Sequence, residues 1–128
     1  MKPQVLLYSR DPNFGGLLAE ALSGTGAGVL VALTVADALQ IVCQHGPELA
    51  FALMDFDGGC RGMTLLSAVH SCYEQLPILV TTSEDAEHAA AIAFANGARD
   101  CFTKPHQAAM LTAAIADLNE THHHLAAA

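Results

Sequence analysis

Four short segments place reactive side chains directly behind apolar runs. Asp55 and Asp57 follow "LAFALM", Thr82 and Ser83 follow "PILVT", and Lys104 with Pro105 follows "DCFT". Ser9, Arg10 and Asp11 follow "QVLLY". Carboxylates accept hydrogen bonds, hydroxyls both donate and accept, and Lys and Arg only donate. Taken singly, each of these residues is an ordinary solvated loop side chain. They acquire a joint meaning only if the fold carries all four segments to one place. Arg10 is the odd member, because it stands where a buried strand opens into the region in which many α/β proteins keep their chemistry.

The elements that would position them alternate along the chain. Strands are predicted at Gln4–Tyr8, Gly28–Leu33, "LAFALMD", "PILVTTS" and "DCFTKP". Helical spacing of apolar residues follows each strand, as with Phe14, Leu17, Leu18, Ala21 and Leu22 after the first. Thr34 is placed as an N-cap and Gly46 as a helix stop for "TVADALQIVCQHG", and Asn96-Gly97 closes "DAEHAAAIAFANG". "GMTLLSAVHSCYEQ" and "HQAAMLTAAIADLNE" supply the remaining helices. Five strand-then-helix units predict an α/β domain with a doubly wound, five-stranded parallel sheet and five helices in three layers. In such a sheet the segments beyond the carboxyl ends of the strands cluster, and those are the four segments above.

At 128 residues the chain fits one domain, assigned to 1–120, with 121–128 as a tail or the start of a linker. Hydrophobic residues make up 52% of it, enough for a packed core and too many for disorder. Five Lys and Arg stand against thirteen Asp and Glu, a net charge of −8, which argues against a direct grip on nucleic acid. No apolar run reaches membrane-spanning length and no charged-then-apolar leader opens the chain, so a soluble, cytoplasmic protein is expected. Cys43, Cys60, Cys72 and Cys101 show no CxxC pairing and read as small hydrophobes; a metal site from Cys60, His70 and Cys72 is the weaker reading. His122 to His124 are read as a frayed terminus, with weak metal binding the lesser reading. "GTGAG" (24–28) closes a helix and precedes a strand, the reverse of a phosphate loop, and is read as a turn.

An aspartate ending the third strand, a threonine ending the fourth and a Lys-Pro ending the fifth together resemble the response-regulator receiver domain of two-component signalling. Thr82 lies five residues beyond Pro77, and Lys104 lies 22 beyond Thr82 (104 − 82), the interval of that pattern. "GARDCFTKP" is the most specific stretch, and the resemblance runs from Val5 to about Asn119. It implies a flavodoxin-like fold, Asp55 as the phosphoacceptor position, and Thr82 and Lys104 as switch and phosphate-contact positions. It also implies a histidine kinase or an effector protein as partner, no enzymatic activity of the chain's own, and a contact surface on the last two helices and last strand. The helices there, "EHAAAIAFANGA" and "AAMLTAAIADLNE", are alanine-rich, which suits either close helix approach in a homodimer or plain helix propensity.

The chain departs from the family at several points. Receivers end the first strand in two acids that hold magnesium; here Ser9 and Arg10 occupy that pair, with Asp11 and Pro12 after it. Moving Asp11 into a metal position would push Ser9 into the strand. Magnesium takes about six oxygen ligands, among them carboxylates, whereas serine brings no charge and a guanidinium brings only donors. Arg10 is therefore expected to pair with Asp55 or Asp57 in place of the metal, and no cofactor is expected. Cys101 stands where receivers carry an aromatic switch residue. The loop "FDGGCRGM" lacks the usual Met-Pro step, with Asp57 at the position whose carbonyl would face the metal. His106 follows Pro105 as a helix-opening residue rather than a relay histidine, and His70 and His88 fall on polar helix edges. The resulting expectation is an atypical receiver that works by protein contact. A working phosphoacceptor on Asp55, using magnesium, is the alternative, and a small enzyme or ligand-binding domain of the same fold is the second. Against the last, no phosphate loop or nucleophile elbow is present.

Overall fold

The computed structural model describes residues 4–10, 13, 16, 19–20, 28–56, 61–82 and 86–103. Five strands, β1 (Gln4–Tyr8), β2 (Gly28–Ala32), β3 (Leu49–Asp55), β4 (Ile78–Thr82) and β5 (Asp100–Thr103), form one parallel sheet in the order β2-β1-β3-β4-β5. Helices span Val35–His45, Arg61–Cys72 and Ala86–Ala95, and Asn13, Gly16, Ala19 and Glu20 are also helical. This is the doubly wound α/β fold expected from the alternating pattern.

Alternation along the strands divides the core in two. Leu6, Tyr8, Ala52, Met54, Ile78 and Val80 face the three helices through Ala38, Val42, Leu65, Leu66, Val69 and Ala93. Val5, Leu7, Phe51, Leu53, Leu79 and Phe102 pack on the other face, with Ala19 against them. β3 is buried along its whole length because it lies mid-sheet with layers on both faces. That explains why "LAFALM" reads as an unbroken apolar run. Each buried Leu, Phe or Ile contributes about 1.5–3 kcal/mol by leaving water.

Helix ends follow local chemistry. Thr34 is extended (φ −132°, ψ 161°) and its Oγ1 accepts from the Asp37 amide at 3.1 Å, the expected N-cap. Gly46 stands at the predicted stop, as the C-cap of the Val35–His45 helix, but without a left-handed turn. It keeps a right-handed conformation (φ −44°) and opens the 3-10 turn Gly46–Glu48, so it is no left-handed helix stop. Its missing side chain makes room for the Tyr73 ring, which a Cβ there would strike. Gly97 behaves as predicted, with φ +110°. Its amide donates to the Phe94 carbonyl (3.2 Å) and the Ala98 amide to the Ala93 carbonyl (3.0 Å), which closes the helix in a Schellman motif. β2 stops one residue short of the predicted Leu33, and the third predicted helix stops at Cys72, short of "YEQ".

Candidate functional site

Parallel strands all end at the same edge of a sheet, so Asp55 at the end of central β3 has the ends of β1 and β4 on either side. The register sets the neighbours. Tyr8 pairs with Met54, which puts Ser9 beside Asp55, and Asp55 itself pairs with Thr81. The backbone continues its ladder past these residues: the Ser9 amide donates to the Ala32 carbonyl (3.2 Å) and the Phe56 amide to the Thr81 carbonyl (2.8 Å). All three side chains are thus held by strands that remain hydrogen-bonded at the site.

Ser9 Oγ donates to Asp55 Oδ2 at 2.8 Å, and Thr81 Oγ1 donates to Asp55 Oδ1 at 3.4 Å. Exposure is 1% for Ser9, 3% for Asp55 and 1% for Thr81. A buried carboxylate must find donors to offset its lost hydration, and strand-end hydroxyls supply them here. Ser9, Asp55 and Thr82 have further interactions besides these. Thr82 is buried at the next position of β4 and pairs in register with Thr103 of β5.

The expected contact between Arg10 and Asp55 is not formed. Arg10 is exposed, and among the described residues the only ion pair joins His45 Nδ1 to Glu48 Oε2 at 3.1 Å. β1 ends at Tyr8 and the chain bends at Arg10, which is exposed where the preceding Ser9 is buried. The other proposed partner, Asp57, lies outside the described residues, as do Asp11, Lys104 and His106. Thr81, by contrast, went unnoticed in the sequence. The available signal was the pair of consecutive threonines at the end of an apolar strand, but which of them meets Asp55 depends on the β3–β4 register.

Cys101 lies half-buried against the helix-bearing face, next to Val80 in register. Burial raises its thiol pKa, and the neighbouring Asp100 carboxylate adds to the effect. The sequence-level idea of a Cys60, His70 and Cys72 metal site gains nothing: Cys72 is exposed, Cys60 is outside the described residues, and no group of three His, Cys, Asp or Glu gathers among those described. His70 lies against Gly97, and its Nδ1 is buried with no hydrogen-bond partner. No helix among the described residues is long and apolar enough to cross a membrane.

Solved structures share this architecture closely. A response regulator receiver domain protein from Clostridium thermocellum superposes with a TM-score of 0.82 at 19% identity, covering 96% of this chain and 98% of that one. The receiver domain of NtrX from Brucella abortus gives 0.79 at 24% identity, with 91% and 98% covered. The receiver domain of the Francisella response regulator 1452 gives 0.81 at 18%, with 94% and 98% covered. No curated protein matches the sequence. Likeness at such identities speaks for the fold alone, but the sequence profile of the response regulator receiver domain matches residues 5–116, and on that ground the chain belongs to this family.

Proposed function

We propose that the chain is an atypical receiver: a contact module, without enzymatic activity of its own, that signals to a kinase or effector protein without magnesium-dependent phosphorylation of Asp55. The observation that carries this reading is the 2.8 Å hydrogen bond from Ser9 to Asp55. At the position where the family presents an acid, this chain presents a neutral donor already engaged with the phosphoacceptor carboxylate. Phosphoryl transfer onto a carboxylate relies on a cation to neutralise the incoming charge. Ser9 gives Asp55 a neutral hydroxyl and position 10 carries no carboxylate, a poor fit for a hard divalent cation.

Contact is the remaining currency, and the Ala86–Ala95 helix carries material for it. Phe94 is 49% and Ile92 36% exposed. We assign this helix and the adjoining edge strand β5 to self-association or effector docking. The alternative, a working phosphoacceptor, draws support from Asp55 and Thr82 lying buried at the ends of adjacent strands.

Restoring the acid pair separates the two. In Ser9→Asp/Arg10→Asp, magnesium affinity is expected to tighten at least about tenfold over the natural chain, because ligand charge sets the affinity of hard-cation sites. Without cation the added carboxylate lies against Asp55, so Tm falls and magnesium restores it. Equal magnesium affinity in both proteins, by isothermal titration calorimetry, would contradict the reading.

A further inference from the structure

We infer that Thr81 is a positioning residue for Asp55, closing with Ser9 a clamp on the carboxylate that needs no metal. The inference rests on the reading that the site works without its acid pair, and it names what holds Asp55 instead. Three adjacent strands, β1, β3 and β4, deliver one side chain each to a single row across the sheet edge. Ser9 takes Oδ2 from one side and Thr81 takes Oδ1 from the other. A carboxylate gripped by both oxygens loses rotation about its Cβ–Cγ bond, and burial makes either lost donor costly.

The clamp is lopsided. The Ser9 bond has ordinary length for a hydroxyl on a carboxylate, whereas the Thr81 contact at 3.4 Å is long and weak. Thr81 is therefore the side that yields when the carboxylate turns. Because Thr81 pairs in register with Phe102, and its neighbours Val80 and Thr82 pair with Cys101 and Thr103, a shift of Thr81 passes directly into β5. Asp55 is thereby linked to the edge strand through a hydroxyl rather than through an aromatic at position 101.

The test compares the natural chain with Thr81→Val and Thr81→Ser, all 13C-labelled and without added cation. The readout is the side-chain carboxyl carbon of Asp55 together with the Ser9 hydroxyl proton. Valine keeps the shape of threonine and replaces its hydroxyl with a methyl; serine keeps the hydroxyl and removes the methyl. The inference expects the Asp55 carboxyl resonance to move in Thr81→Val and to return in Thr81→Ser. An unmoved resonance in Thr81→Val, or one displaced equally in Thr81→Ser, would overturn it, since a packing role follows the methyl. Should Thr81→Val fail to fold, Thr81→Ser decides alone: loss of the wild-type resonance there refutes the clamp, and its retention supports it. With no magnesium present, a negative result counts against the clamp and leaves the reading of the acid pair standing.

Discussion

Ser9 and Asp55 are 46 residues apart in sequence and 2.8 Å apart at their side chains, and only the β1–β3 register joins them. The sequence marked both positions, yet it pointed to Arg10 as the partner, because charge complementarity can be read locally and strand register cannot. The same limit hid Thr81: of two adjacent threonines, pattern matching selects Thr82, whereas pleat and pairing select Thr81 for contact with Asp55. Cys101 yields a prediction at this scale. Its raised pKa lowers the thiolate fraction, and it is half-buried, whereas Cys43 and Cys72 are exposed. Alkylation near pH 8, followed by peptide mass spectrometry, should therefore label Cys43 and Cys72 well before Cys101. Faster labelling of Cys101 would show that β5 opens more readily than its packing implies.

Strands were the most legible elements, since "VLLY", "LAFALM" and "ILV" are continuous apolar runs buried along their length. The glycines were less so. Gly97 terminates its helix through a positive φ, a local property that sequence can announce; Gly46 is required by the ring of Tyr73, a tertiary contact that it cannot. Gly97→Ala should destabilise by about 1–3 kcal/mol, from the left-handed backbone alone, and the new Cβ also meets the His70 ring. Urea unfolding measures this, and a loss near zero would mean that the turn rearranges freely. Thr34→Ala should cost about 1 kcal/mol through the lost N-cap. On the Ala86–Ala95 helix, Phe94→Glu should weaken self-association or effector binding without lowering Tm, because Phe94 is half-exposed. Sedimentation velocity and thermal melting together check both halves of that statement.

At the scale of the molecule, the sheet order β2-β1-β3-β4-β5 puts Asp55 on the central strand and the Ala86–Ala95 helix, with Phe94 half-exposed, beside the β5 edge. β4 lies between β3 and β5, so in the proposed reading a shift of Asp55 would pass to the assigned contact face through one strand. The net charge of −8 disfavours a direct grip on a phosphate backbone. In the proposed function Ser9 and Arg10 stand in place of a magnesium-holding acid pair and Asp55 is not switched by phosphoryl transfer. The most direct test of that claim is an NMR titration of the labelled chain with magnesium and then with magnesium plus beryllofluoride, an imitation of the acyl phosphate that needs no kinase. The account predicts that the amides of Asp55, Thr82 and Cys101 keep their positions at millimolar magnesium, with and without beryllofluoride. Saturable shifts that start at Asp55 and spread through β4 into β5 would contradict it and make the protein a phosphorylation switch.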